Sequence, residues 1–381
     1  MFDFPTGPTV GQVSGNYTWN GYAWMPQSSA APIDALAYSG MQINGSMEVS
    51  QERGAVGTSL SSGVALYIVD GFVGIFAGTG AAGVQQQTSA PAGFSNSIIL
   101  NCTTINSLAG ANDFQWIEHR IEGYRWSRLG FGTANAQPVT ISFWIYPHIA
   151  GTMAVALQSL ASPYRTYVVD VPVTALSWQY KTITMPGDTT GTWRKDNTHA
   201  ASIFFVFGVG SGRKTTANVW ATQGTAVGTA ATTNFFSAIG GPLITGVTVL
   251  PGVYAPIAAQ SPLIMRPYGQ ELSVCQRYYY KRIYSAGNWF AALQAYSTGA
   301  CSGWICTFPV TMRGAPTVTA SGTFCLASSA GSQITLTTGS YATTPDFCYV
   351  SGAGAASGFV AGNAVLFGVS TAASHAFDAR L

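Results

Sequence analysis

The residue pattern predicts an all-β protein: an antiparallel β-sandwich or jelly roll, then a second, smaller β domain, with a short N-terminal segment in front. Three observations carry this. Stretches such as 243–250, LITGVTVL, alternate apolar and small polar residues as half-buried strands do. Such runs recur at close spacing with Gly, Pro and Asn between them, and no helical pattern of a dozen residues interrupts them between 44 and 252. Charged residues are only 8% of the 381, against roughly 25% in an ordinary soluble domain. Hydrophobic residues still make up 47%, enough to build cores and to argue against disorder. No unbroken apolar run reaches about 20 residues, so a helical membrane span is not expected. The net charge of +2 has no basic stripe behind it, so nucleic acid is not an expected partner.

Taken in order, residues 1–27 are broken by Pro5, Gly7, Pro8 and Gly11, and then read as a tiny aromatic hairpin around Asn20-Gly21. So small a module cannot bury its aromatics alone. Residues 28–43 read as a Ser/Ala/Pro linker and 44–252 as the sandwich. Strands are expected at 43–51, 64–75, 96–105, 114–128, 138–147, 152–158, 165–173, 178–185, 201–210, 217–221 and 242–250. Residues 253–267, with Pro256, Pro262 and Pro267, read as an extended connector, because proline fixes φ and restrains its predecessor. A short helix follows, with Leu272, Cys275 and Tyr279 on one face. Residues 268–381 then read as the smaller β domain, with strands at 276–284, 288–297, 303–310, 316–320, 333–338, 346–352 and 363–369.

Enzymatic chemistry has little to stand on. His119, His148, His199 and His375 have no metal-ligand spacing, and no G-x-S-x-G elbow occurs. Glu118 and Glu122 share a strand face and could pair as glycosidases require, but Arg120 and Arg125 flank them as ordinary ion-pair partners. The chain is therefore read as a non-enzyme. No cofactor is implied; the acids and loop carbonyls leave room only for a structural calcium, with no ligand set to name. Residues 1–5 have neither a basic nor an apolar signal region, so cytoplasmic assembly is expected. The six cysteines are then expected to be reduced and buried.

Sugar recognition needs flat aromatic faces beside amides or carboxylates. Trp193 in a Gly/Thr loop with Arg194, Asp196 and Asn197 fits that description, as do Tyr124 with Trp126. In the last domain, Trp289 and Trp304 follow loops. In each cluster the alternative is that the indole belongs to the core.

Several strings also carry a resemblance. They are Ile244, Thr245, Val247, Val249 and Gly252, followed across the connector by Glu271, Leu272, Cys275, Gln276, Arg277, Tyr278 and Tyr279. With 118–126, 129–133, 138–144, 178–181, 186–193, 308–318 and 377–381, they resemble fibre and appendage proteins of tailed phages or gene-transfer-agent-like particles. Leu250-Pro251 departs from that pattern, which usually has an acidic residue there. The N-terminal string, with Phe2, Phe4, Pro5, Tyr17, Trp19, Tyr22 and Trp24, resembles the segment by which such proteins join the particle. The resemblance implies a homotrimeric tail fibre or head fibre, assembled in the host bacterial cytoplasm and carried on the virion. Its partners would be portal, tail or capsid proteins and a host cell-surface glycan, bound by a carbohydrate-binding-like sandwich. A decoration or collar protein without receptor contact, and a capsule depolymerase, are the alternatives.

Overall fold

Alternating strands with one apolar face must pair and then stack, and this chain does so twice. A computed structural model describes residues 4–8, 12–14, 17–19, 24–26, 40–298, 300–328, 333–354 and 359–381. At the N-terminus, β1 (Val13–Ser14), β2 (Tyr17–Trp19) and β3 (Trp24–Pro26) form a small antiparallel sheet with Trp19 opposite Trp24. Phe4 stacks on Trp24 at 5.0 Å and meets Tyr17 edge-on at 5.2 Å, while Pro5 is exposed. Phe2, Tyr22 and the Asn20-Gly21 turn lie outside the described residues.

The sandwich is built from β4 (Thr58–Leu60), β5 (Leu66–Val69), β6 (Phe72–Ala77), β7 (Ala81–Gln87), β8 (Ser97–Thr104) and β9 (Phe114–Glu122). It continues with β10 (Val139–Tyr146), β11 (Gly151–Ser159), β12 (Thr166–Val173), β13 (Gln179–Met185), β14 (His199–Val209) and β15 (Leu243–Pro251). The first sheet has the order β13-β10-β15-β8-β7-β4 and the second β12-β11-β14-β9-β6-β5. Alternation decides which side chains meet between them. Ile141, Phe143 and Ile145 of β10 face Ile203, Phe205 and Phe207 of β14, all fully buried, with Phe143 and Phe205 in T-shaped contact at 5.0 Å.

Four expectations are corrected here. Residues 43–51 form no strand: Asn44 and Met47 take positive φ, and the Asn44 amide ties the turn by bonding the Val49 and Asp70 carbonyls. Residues 64–75 are two strands, because Asp70-Gly71 turns between β5 and β6. The strand expected over 114–128 ends at Glu122, and α1 (Gly123–Trp126) follows. Residues 217–221 touch the second sheet only through single contacts, such as the Ala221–Thr166 bridge.

The linker and connector also differ from the expectation. Residues 40–43, assigned to the linker, are buried, and Met41 N–H donates to the Val249 carbonyl, so these four residues belong with the sandwich. The connector is no free tether. It winds into a 3-10 turn, Ala258–Ile264, and lies against the first sheet, where Trp144 and Tyr180 hold it.

The smaller domain opens with α2 (Tyr268–Gln276), the short helix expected there. Its strands are β16 (Tyr279–Tyr284), β17 (Trp289–Ala295), β18 (Ala300–Thr307), β19 (Thr317–Ser321), β20 (Phe324–Ser328), β21 (Gln333–Thr343), β22 (Phe347–Gly354), β23 (Ala364–Val369) and β24 (Ala373–Asp378). β16, β24 and β19 form one sheet, and β17-β18-β22-β21-β20-β23 close into a barrel. Trp304, Phe324, Phe367 and His375 pack together in this domain's core.

Several of the chain's few charged residues meet where the two domains join. Glu122 accepts from Arg277 and from the Tyr278 hydroxyl, each at 2.6 Å. Arg266 pairs with Glu271 at 3.0 Å, and Glu271 also accepts the Asn44 N–H. Arg380 pairs with Asp378 and Glu52 and lies between the rings of Tyr67 and Tyr279, 4.0 and 4.3 Å from their centres. Of these pairs only Arg266–Glu271 is buried on both sides, so removing either partner would strand a buried charge.

Candidate functional site

A sandwich has two outer faces, and here their fates differ. On the second sheet, Phe114, Trp116, Val168, Phe204 and Val206 pack with Val209 and Val227, and the Arg213 guanidinium lies 4.4 Å from the Phe114 ring centre. Elsewhere on that sheet, Tyr67 and Arg120 both donate to a main-chain oxygen of Leu381. This face is covered.

The first sheet keeps much of its outer face open. Across β7, β8, β15 and β10, Gln85 pairs with Ile99, Ile99 with Leu243, and Leu243 with Tyr146. Trp178, just before β13, meets Tyr146 with ring centres 5.6 Å apart. The flanking residues Val84, Ile98, Leu100, Ile244 and Ile145 all enter the core, so period-2 alternation turns this row outward. Neighbouring strands lie about 4.8 Å apart, so the row spans roughly 19 Å. Each member is half-buried, and apart from Gln85 they form an apolar surface held in place yet accessible.

Beside the row lies a groove of about 270 Å³ whose lining includes Thr58, Gln85, Gln87, Asn101 and Thr103. The Gln87 amide donates to Gln85 Oε1 at 2.7 Å, and Gln85 donates to the Ala55 carbonyl at 3.0 Å. On the other side the connector fixes the sheet's second aromatic pair. Trp144 Nε1 donates to Ser261 Oγ and the Tyr180 hydroxyl to the Pro256 carbonyl, each at 2.9 Å. Fixed aromatic rings beside short amides suit a flat polyhydroxylated ligand.

The residues expected to bind sugar fall elsewhere. Trp193 is 5% exposed, not the open platform expected. It stacks on Trp126 at 5.7 Å, meets Phe131 edge-on at 4.8 Å, and its Nε1 donates to Asp188. Trp126, at 1% exposure, and Trp304, at 7%, are core as well. Asn197 exchanges hydrogen bonds with the Arg313 main chain and guanidinium, so it ties the two domains together. Asp196 binds the Thr198 hydroxyl and N–H, and Arg194 donates to the His199 carbonyl. Tyr124 and Trp289 remain exposed, but they lie on different domains.

Glu118 and His199 are engaged within the second sheet. Glu118 accepts from Ser202 and Arg120, and His199 Nε2 is 2.8 Å from Ser202 Oγ. Ser202 is fully buried, so a substrate cannot reach its hydroxyl. Burial lowers His119 to about 3 and His199 and His375 to about 4, and raises Asp70 to about 6. Among the described residues, no group of three or more His, Cys, Asp or Glu side chains could hold a metal. All six cysteines are buried, Cys306 directly across from Cys348 on β18 and β22.

No family model matches the chain, and no curated protein matches it. Among solved structures it is similar to an arabinose-bound α-L-arabinofuranosidase, MgGH51, at 12% identity and TM-score 0.29, over 54% of this chain and 26% of that one. The chain thus spans about a quarter of that enzyme's length. It is also similar to the family 11 carbohydrate-binding module of the cellulase Lic26A-Cel5E of Clostridium thermocellum, at 11% identity and TM-score 0.28. That match covers 53% of this chain and 98% of the module. The CBM22-1 xylan-binding domain of Paenibacillus barcinonensis Xyn10C is similar at 9% identity and TM-score 0.28, over 54% and 99%. Scores this low leave the sugar specificities with those proteins.

Proposed function

We propose that this chain is a non-enzymatic glycan-binding protein of a bacteriophage virion, a tail fibre or head fibre. It holds host surface polysaccharide on the outer face of its first sheet and joins the particle through residues 1–27. The observation that carries the binding reading is the row Gln85, Ile99, Leu243, Tyr146 and Trp178 beside the groove with Gln87 and Asn101. The row presents ring and aliphatic faces to the ring hydrogens of a sugar, and the groove presents amides to its hydroxyls. Retention without turnover is supported by the engagement of Glu118 and Glu122 with arginines and hydroxyls. Attachment is supported by the aromatic N-terminal sheet, whose Phe4, Tyr17, Trp19 and Trp24 rings cluster. One face of this kind binds weakly. A homotrimer, repeated on one particle, raises avidity by roughly 10²–10⁴ without new contacts.

A glycan array probed with the full chain tests the binding reading. Retention of a defined set of host surface glycans is expected, with loss in Tyr146→Ala. An array without retained glycans, at concentrations suited to multivalent binding, would leave a structural virion protein as the better reading. Attachment is tested by a chain beginning at residue 35, which keeps Gly40 and the sandwich. It should stay folded and fail to enter particles; entry at normal copy number would refute the role of the N-terminus.

A further inference from the structure

A second recess, about 410 Å³, is lined by Glu122, Tyr124, Arg125, Arg128, Arg277 and Tyr278, from both sides of the domain joint. Its charges do not balance. Glu122 is already satisfied by Arg277 and the Tyr278 hydroxyl. Arg125 and Arg128 lie three apart on α1 and the 3-10 turn Ser127–Leu129, so they rise on the same side of this short helical stretch. Among the described residues neither is paired with a carboxylate. Arg125 donates to the Gln42 carbonyl at 3.5 Å, and Arg128 Nε to the Arg125 carbonyl at 3.3 Å. Burial pulls the Arg125 guanidinium below its usual value; the charges of Arg266 and Arg128 add to the effect, and Tyr278 and Glu271 oppose it. Three arginines against one glutamate leave two positive charges in excess in the recess.

We infer that this recess binds the carboxylate of an acidic sugar residue, a uronic acid within a polysaccharide, between Arg125 and Arg128. A planar guanidinium takes a carboxylate through paired N–H donors, which neutral hydroxyls cannot match in strength. Tyr124, 61% exposed, supplies a ring face against which the rest of the sugar lies. The site is distinct from the first-sheet row, which carries no charged side chain. That the anion is carried by a saccharide rests on the glycan reading above; the anion site itself does not.

The test is titration of the full chain with an oligouronate, with its carboxyl-reduced neutral counterpart, and with inorganic phosphate. The oligouronate is expected to bind about tenfold or more tighter than the neutral oligomer, as one charged hydrogen-bonded contact implies. Arg128→Gln, at an exposed position where folding is not at stake, should lower oligouronate affinity about tenfold. Tyr146→Ala should leave it unchanged. Equal binding of the two oligomers, or unchanged affinity in Arg128→Gln, overturns the inference. Phosphate binding as tightly as the oligouronate overturns the sugar as ligand. Loss in Tyr146→Ala with no loss in Arg128→Gln moves the acidic sugar to the first sheet and overturns it too. A blank result for neutral glycans with the oligouronate still bound would refute the first-sheet reading alone.

Discussion

The two outer faces of the sandwich begin from the same strand grammar and end in opposite states. Both alternate core-facing Val, Ile and Phe with outward residues. On the second sheet the outward set is largely apolar: Phe114, Trp116, Val168, Phe204 and Val206. Such a surface must be covered, and Val227 and Arg213 cover it. On the first sheet the outward set mixes amides, hydroxyls and a few rings, stable in water and able to hold a ligand. The difference teaches that aromatic content alone does not mark a binding face. Trp116 and Trp178 are both outward, and what packs against each decides its role.

The largest expected effect follows from that lesson. Trp193→Ala removes a buried indole from the cluster with Trp126, Phe131 and Trp220 and leaves Asp188 without one donor. It should cost about 3–5 kcal/mol, read as a fall in Tm. Trp178→Ala, on the open face, should cost much less, so near-equal losses would erase the distinction between covered and open rings.

A second prediction concerns acid. His119, His199 and His375 are held neutral by burial, with folded values of about 3, 4 and 4. A group whose folded pKa is lowered binds fewer protons folded than unfolded. Its stabilisation is present above about 6.5 and is lost as pH falls toward the folded value. Asp70, raised to about 6, acts the other way, favouring the folded state as pH falls from above 6 toward 4. With three histidines against one aspartate, Tm should fall between pH 6.5 and 4. His119→Gln should flatten that slope, and an unchanged slope would show that His119 is not held neutral.

The smallest expected effect is none. If the buried cysteines are thiols in solution, a reductant should leave Tm unchanged. A fall of several degrees would reveal a bridge, since removing one typically costs about 2–5 kcal/mol. The cross-strand neighbours Cys306 and Cys348 are the first pair to examine.

Much of the strand pattern was legible because alternation and punctuation are local. β8, β10, β11, β12, β13, β14 and β15 fall close to the expected positions. β7 was missed because AAGVQQQ has only one β-branched residue, and its pairing with β8 supplies what propensity does not. Residues 43–51 look like a strand, but two positive-φ residues and the Asn44 side chain make a buried turn. Trp193 looked exposed because its apolar partners Trp126, Phe131 and Trp220 lie far away in sequence. The candidate row left half a signal: Trp144 and Tyr146, and Trp178 and Tyr180, each sit two apart. Their alignment with Gln85 and Ile99 depends on the strand order, which alternation alone does not contain.

Amide hydrogen exchange on the full chain, with and without a glycan retained on the array, tests the central claim most directly. The account predicts slower exchange in residues 83–87, 97–103, 143–146 and 178–182, with the second sheet unchanged at 115–120 and 154–158. Protection confined to the second sheet or to the barrel, with the first sheet unaltered, would contradict it.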